Sequence, residues 1–133
     1  MTSKITYLGS LRTSSIHLKS GSEIISDAPV DNKGKGEAFS PTDTVANALG
    51  SCMMTIMAIK AGEMGVDLTG STAGVTKTMR AEPRMISKIE VVFDMTATVD
   101  ARTKLILERV AHTCPVHLSL HPDIVKEITF NWK

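Results

Sequence analysis

The feature that most constrains this sequence is an uncharged and mainly apolar run from Thr44 to Ile59. The run is shorter than the ~20 residues that span a bilayer, so it favours a helix in the core of a folded domain. Apolar residues occupy every side of that helix, in one stripe and on the faces beside it: Val45, Leu49, Cys52, Ile56, Ile59, Ala46, Met53, Met57 and Ala58. A helix that is apolar all round must be covered on nearly every side. A chain of 133 residues can hardly supply that cover alone, which favours a dimer.

The residues before this run predict where the helix begins. Ser40 can cap the first turn, and Pro41 suits the first helical position. Asp43 would lie near the positive end of the helix dipole. The apolar pattern continues to about Met64, before Gly65. We therefore expect one long helix that starts at Pro41.

Alternation of apolar and polar residues predicts short strands near the N-terminus and one long strand later in the chain. The N-terminal segments number two or three and are centred on residues 5–7, 16–18 and 24–25. The clearest strand runs from Ile89 to Val99, with residues 68–79 as its hairpin partner. We expect these strands to pair antiparallel.

Two further helices and a final strand complete the predicted order. Asp100 can cap a helix over residues 101–113, and Pro115 can open a short third helix. Apolar alternation over residues 128–132 predicts the last strand. The order βββ-α-ββ-α-α-β describes an α+β fold in one domain that spans residues 1–133.

Composition and charge exclude several classes of function. Fifteen Lys and Arg residues oppose fourteen Asp and Glu residues, so no strong positive field would attract nucleic acid or an anionic membrane. Aromatic residues are only 4% of the chain, which disfavours a base-stacking surface. The first residues lack the apolar segment of a secretory signal, so we expect a cytoplasmic protein. In that compartment the two cysteines should be mostly reduced.

The two cysteines occupy different settings. Cys52 lies in the middle of the long helix, whereas Cys114 directly precedes a proline and should therefore end one helix and cap the next. A helix N-terminus favours the thiolate form of Cys114. Cys52 would need a cation from elsewhere in the fold, and Arg12, Arg80 and Arg84 are the candidates. The alternative is that both thiols are small buried apolar groups.

Two other patterns favour structural interpretations. Cys114, His117 and His121 have a spacing that could hold a metal, but three ligands on one short helix rarely converge on a tetrahedral ion. Solvated histidines are the simpler interpretation. The glycines at 34 and 36 lack the third glycine and the strand–helix setting of a dinucleotide loop. We therefore expect neither a metal nor a cofactor.

Two cysteine-bearing motifs carry a family resemblance. Phe39-Ser40-Pro41-Thr42-Asp43 leads into Ala48-Leu49-Gly50-Ser51-Cys52, and Cys114-Pro115-Val116-His117-x-Ser119-Leu120 follows much later in the chain. Together with Tyr7-Leu8-Gly9-x-Leu11-Arg12, these motifs resemble the OsmC/Ohr superfamily over essentially the whole chain. The acidic residue that normally follows the helix-starting proline stands one place later here. The chain is therefore more similar to the OsmC-like branch than to Ohr proper.

The resemblance implies an intertwined homodimer with an OsmC-like fold, in which antiparallel sheets surround a long buried central helix. N-terminal strands would complete a sheet of the partner subunit, and the active sites would lie at the subunit interface. Cys52 would be the peroxidatic cysteine and Cys114 the resolving one, with Arg12 as the family's arginine and Asp43 to orient it. Proteins of this kind reduce organic hydroperoxides, and hydrogen peroxide more weakly, with electrons from dithiols such as lipoylated proteins.

Two classes of function follow from these observations. The first is a thiol-dependent hydroperoxide reductase without a metal, with Met53 and Met57 in the apolar wall of its substrate pocket. Filling of the core is the alternative role for these methionines. The second class is a non-catalytic thiol-bearing protein that binds a small molecule or serves a stress response. It would be favoured if the two cysteines lay beyond about 7 Å between Cα atoms, too far apart to bond.

Overall fold

The structure is a computed structural model that describes all 133 residues. It contains two compact units, residues 1–45 and residues 46–133. The single domain that the sequence predicts over residues 1–133 stays a prediction.

The first unit contains a three-stranded antiparallel sheet, as the N-terminal alternation predicts. Its strands follow one another in the order β1-β2-β3, with β1 at Ser3–Gly9, β2 at Arg12–His17 and β3 at Glu23–Asp27. The loop after β3 packs tightly, because a Cβ atom at Gly34 would overlap the backbone of Ala28. The glycine at this position therefore serves close packing within the loop.

Helix α1 (Pro41–Glu63) begins in the first unit and continues into the second. The second unit adds a three-stranded sheet and two shorter helices: β4 (Thr72–Arg80), β5 (Met85–Asp94), α2 (Ala101–Ala111), α3 (Pro115–Ser119) and β6 (Val125–Asn131). The order of its strands is β4-β5-β6. The mixed α+β class and the predicted order of elements are confirmed.

The pairing of the last strand differs from the prediction. β4 and β5 are antiparallel, but β6 runs parallel to β5. The α2 and α3 segments form a crossover between β5 and β6, which returns the chain to the same end of the sheet and makes a parallel pair possible. Phe93 and Phe130 face each other in this pair, with ring centroids 5.1 Å apart. The strand predicted to reach Val99 ends at Asp94.

The buried face of α1 also differs from the predicted stripe. Val45 and Ile59 are exposed, whereas the fully or nearly buried residues of α1 are Ala46, Leu49, Gly50, Met53, Met57 and Ala61. A helix that is apolar all round has no polar side to select its inner face. Three of the six buried residues are Ala or Gly, so close approach to neighbouring elements decides the orientation. The helix is long and apolar enough to cross a membrane, but the core helix of a soluble protein has the same composition.

Candidate active site

The two cysteines meet in the second unit. Cys52 on α1 is half-buried and packs against the hydrophobic core, and Cys114 is completely buried at the junction of α2 and α3. Both thiols are free, and they lie close enough for Cys52 to raise the pKa of the Cys114 thiol. Two free thiols that lie near each other are the starting arrangement for a disulfide.

Cys114 occupies the N-cap of α3. Its backbone is extended, Pro115 follows at the first helical position, and its Sγ accepts a hydrogen bond from the backbone N–H of His117 at 3.2 Å. This confirms that Cys114 caps α3, as expected for a residue before proline. The preceding helix, predicted over residues 101–113, ends earlier, at Ala111.

The expectation that Cys114 is favoured as a thiolate is wrong, because its pKa is raised and not lowered. Burial raises the pKa of the Cys114 thiol, because the charged form loses its hydration, and the hydrogen bond from His117 N–H only partly opposes this effect. The neighbouring Cys52 thiol and the negative charge that it can carry raise the pKa of Cys114 further. In the reduced protein Cys114 is therefore favoured as a neutral thiol.

The start of α1 is held by a reciprocal cap. The Asp43 backbone N–H donates to Ser40 Oγ, and the Ser40 backbone N–H donates to the Asp43 carboxylate, both at 3.0 Å. Ser40 is buried, so these two N–H groups depend on side chains for their partners. The predicted cap and helix start at Pro41 are confirmed, and Asp43 is engaged in this cap.

Arg12 is paired with a different carboxylate from the one predicted. Its Nε and Nη2 donate to the two carboxylate oxygens of Asp27 at 2.7 and 2.8 Å, and Nη2 also donates to Glu37 at 3.1 Å. The Arg12 side chain is 34% exposed, whereas Asp27 is 1% exposed. The orienting contact that the family pattern assigned to Asp43 is therefore made by Asp27 within the first unit.

The charge of Asp27 is stabilised by its neighbours. The hydrogen bonds from Arg12 hold the pKa of the Asp27 carboxyl below its usual range, with support from the Arg12 charge and the backbone N–H of Glu37 and against the effect of burial. The same pair raises the pKa of the Arg12 guanidinium. Asp27 and Glu37 are the partners of Arg12 that sequence reasoning missed. The available signal was the opposite charge of Arg12 and Asp27, which lie just outside two segments predicted as neighbouring strands.

The predicted pocket methionines and the two alternative arginines have other contacts in the structure. Met53 and Met57, predicted to line a substrate pocket, are completely buried in the hydrophobic core, so they fill space there. Among the alternative arginines, Arg80 donates to Met85 Sδ at 2.7 Å, and Arg84 lies in the turn before β5.

An open cavity of about 590 Å³ lies in the second unit, beside the C-terminal half of α1 and the loop after it. Neither Met53 nor Met57 lines it, and neither does Cys52. Its lining consists of Met54, Ala58, Gly62, Gly65, Val66, Asp67, Leu68, Thr69, Gly70 and Ser71. The methionine that lines this cavity is therefore Met54, which is half-buried and also packs against the core.

Comparison with known proteins places this architecture in a family. The family model described as OsmC-like protein matches residues 34–129. A solved structure from Psychrobacter arcticus 273-4, of a protein named for osmotic stress induction and a detoxification response, is 53% identical. The match covers 98% of this chain and 96% of that chain, with a TM-score of 0.96. No curated protein matches the chain significantly.

Two more distant structures share the fold. One is an organic hydroperoxide resistance protein OsmC from Legionella pneumophila, at 14% identity and a TM-score of 0.77, covering 98% of this chain and 97% of that chain. The other is an organic hydroperoxide resistance protein from Elizabethkingia anophelis, also at 14% identity and a TM-score of 0.77, covering 100% and 97%. The two small sheets and the long helix are thus those of OsmC and Ohr folds, and the chain belongs to the OsmC-like protein family.

Proposed function

We propose that this protein is a thiol-dependent peroxidase that reduces organic hydroperoxides through Cys52 and Cys114. Family membership and the fold shared with organic hydroperoxide resistance proteins indicate a redox or stress role. The observation that carries the finer proposal is the proximity of the two free thiols, through which Cys52 raises the pKa of Cys114. Cys52 is the half-buried member of the pair, so a substrate would reach Cys52 before Cys114.

The proposed first step is attack of the Cys52 thiolate on one oxygen of the hydroperoxide. The O–O bond breaks, the sulfur is oxidised to a sulfenic acid, and the other oxygen leaves as an alcohol after it takes up a proton. In the second step the Cys114 sulfur attacks the sulfenic acid. A Cys52–Cys114 disulfide forms, and the hydroxyl group of the sulfenic acid takes up the Cys114 proton and leaves as water. An external dithiol then reduces this disulfide and is itself oxidised.

The environment of Cys114 suits the resolving role. Its burial and raised pKa keep it protonated and unreactive toward peroxide while Cys52 is reduced. Oxidation of Cys52 removes the negative charge that contributes to this raised pKa. The N–H of His117 then remains as a hydrogen-bond donor to the Cys114 thiolate that attacks. This order of events is what a two-cysteine peroxidase requires.

In this proposal Arg12 supplies the positive charge that stabilises the Cys52 thiolate. A guanidinium stays charged in a partly buried site, and Asp27 engages only its Nε and Nη2 atoms. Asp27 and Glu37 would fix the plane of the guanidinium, and Asp43 would act through the helix cap.

We also propose that the active form is a cytoplasmic homodimer with active sites at the subunit interface. The first unit supports this, because Ile5, Tyr7 and Ile24 share one face of its sheet and are 65%, 64% and 64% exposed. Ile5 and Ile24 both flank Ser15 in the strand register, so the two isoleucines lie on the same face of the sheet. Exposed apolar patches of this kind mark interaction surfaces. Light scattering coupled to size exclusion should give twice the chain mass of 14.3 kDa.

Peroxide consumption with purified variants tests the catalytic proposal. With dithiothreitol or dihydrolipoamide as reductant, the wild-type protein should consume cumene hydroperoxide faster than hydrogen peroxide. Cys52→Ser should abolish consumption, and Cys114→Ser should complete one turnover and then accumulate overoxidised Cys52 or depend on added thiol. Thr113→Ser is a matched control, because Thr113 is exposed beside Cys114 and the variant keeps the hydroxyl that donates to Val110.

Two results would contradict the proposal. Undiminished consumption by Cys52→Ser would remove the peroxidatic role, and sustained native turnover by Cys114→Ser without overoxidation would remove the resolving role. If wild type binds a small thiol-reactive molecule but consumes no peroxide with either reductant, the protein is instead a non-catalytic binding protein on the same fold.

A further inference from the structure

We propose that His112 and His117 form a binding site for one Zn²⁺ ion, separate from the two thiols. His112 is the C-cap residue of α2, and His117 lies in α3. Their facing nitrogens, Nδ1 of His112 and Nε2 of His117, are 3.5 Å apart. The two rings meet edge to face, with centroids 5.2 Å apart and an interplanar angle of 89°.

The distance between the two nitrogens fits a shared metal better than a hydrogen bond. Hydrogen bonds from an N–H group usually span about 2.7–3.2 Å, so a separation of 3.5 Å is a poor hydrogen bond. Two nitrogens bound to one tetrahedral zinc ion at about 2.0–2.1 Å lie roughly 3.3–3.4 Å apart. A square-planar ion would require them to lie about 2.9 Å apart. The pair is therefore close to the tetrahedral spacing without rearrangement.

A second ring contact restricts the orientation of His112. Its ring packs edge to face on Phe130, with centroids 6.3 Å apart. One ring of the pair is therefore already held in place before an ion binds.

The site differs from the one that the sequence spacing suggested. His121 is not part of the pair; its Nδ1 accepts from the Asp123 backbone N–H at 3.0 Å. No group of three or more histidine, cysteine or carboxylate side chains is placed to hold a metal, so water would fill the remaining positions on the ion. A bound ion would link the end of α2 to α3 across the segment that carries Cys114.

Substitution of Lys126 should change the Zn²⁺ affinity in the opposite direction to substitution of the two histidines. Its charge acts on His117 from the neighbouring strand β6 and would repel a bound cation. Removal of the Lys126 charge would remove this repulsion. Lys126→Gln should therefore tighten binding of Zn²⁺ several-fold. A variant that merely loosened the fold would weaken it.

Calorimetric titration with Zn²⁺ at pH 8 tests the site in the full-length Cys52→Ser/Cys114→Ser chain, in which the thiols cannot contribute. We expect one ion per chain. His112→Gln and His117→Gln should each weaken binding tenfold or more, whereas His121→Gln is the matched control and should leave the affinity unchanged.

Equal affinity in the parent chain and in both pair variants would overturn the proposal. A loss of affinity in His121→Gln equal to that in the pair variants would also overturn it. Circular dichroism melting without metal shows whether each variant is folded. His112 is at the exposed end of its helix, so His112→Gln retains the test if His117→Gln unfolds. An increase in Zn²⁺ affinity in Lys126→Gln cannot result from unfolding. If Lys126→Gln does not bind Zn²⁺ more tightly, and His112→Gln and His117→Gln bind it as the parent does, the proposed site does not exist.

Discussion

Substitution of Gly50 by alanine tests the close approach of α1 to the sheet that positions Cys52. A Cβ atom at Gly50 would lie 2.9 Å from Val75 Cγ2, and 3.6 Å from Val91 Cγ1. Carbon atoms in contact prefer separations of about 3.5–4.0 Å, so the helix or Val75 must move by roughly 0.6–1.1 Å. Overpacking of this kind costs about 1–3 kcal/mol. Alanine gains about 1 kcal/mol of helix propensity over glycine, so the free energy of unfolding should fall by about 0–2 kcal/mol.

The same substitution in a Val75→Ala variant tests whether the contact with Val75 causes the loss of stability. In Val75→Ala the clashing methyl group is gone, so Gly50→Ala should stabilise the protein by up to about 1 kcal/mol there. The matched control is Gly62→Ala, because Gly62 lies in the same helix and an added Cβ meets nothing within 4 Å. Gly62→Ala should stabilise the protein by up to about 1 kcal/mol in both backgrounds.

The assay is urea unfolding followed by circular dichroism at one fixed chain concentration, because association contributes to the apparent stability of an oligomer. The change in the free energy of unfolding caused by Gly50→Ala should differ by at least about 1 kcal/mol between the chain with Val75 and the Val75→Ala variant. If Gly50→Ala has the same effect with Val75 and with alanine at that position, the tight contact between α1 and β4 does not exist as described.

Three further predictions concern the caps and the titrating groups. Ser40→Ala should lower the free energy of unfolding by about 1 kcal/mol in urea titrations, because a helix N–H loses its side-chain partner; an unchanged midpoint would contradict this. Burial and nearby positive charges lower the pKa of His117, so the unfolded chain binds its proton more readily. The contribution of His117 to stability is therefore full above the ordinary histidine pKa of about 6.5 and is lost as the pH falls through the lower folded-state pKa. His117→Gln should flatten this acid-side loss in thermal melts between pH 7 and pH 5, and an equally steep loss would refute the assignment. Iodoacetamide should alkylate Cys52 before Cys114, which is buried with a raised pKa, and peptide mass spectrometry that found Cys114 modified first would reverse the proposed roles.

Local signals explain why the start of α1 and the cap of α3 could be predicted from the sequence. Ser40 and Asp43 satisfy each other's N–H groups within one helical turn, so their pairing needs no information from distant residues. Cys114 similarly depends on the proline that follows it. The meeting of Cys52 with Cys114 was not visible in spacing, and only the family resemblance implied it.

The parts that the sequence did not reveal depend on register and packing. Arg12 and Asp27 are directly opposed partners in the β2–β3 pair, but the register of that hairpin cannot be read from its sequence. The inner face of α1 was misassigned because apolar residues surround it. Met53 and Met57 therefore enter the core, whereas Ile59 is exposed. Close packing by small residues such as Gly50 decides that orientation, and a pattern of hydrophobicity does not record it.

The most direct test of the central claim is the mass of the protein after one equivalent of cumene hydroperoxide, followed by mapping of the disulfide. We expect each chain to lose the mass of two hydrogens and to give a single pair of peptides joined through Cys52 and Cys114. Dihydrolipoamide should reverse both changes. Recovery of both thiols unmodified, or of Cys52 as a sulfinic acid beside a free Cys114 while the fold is intact, would contradict it.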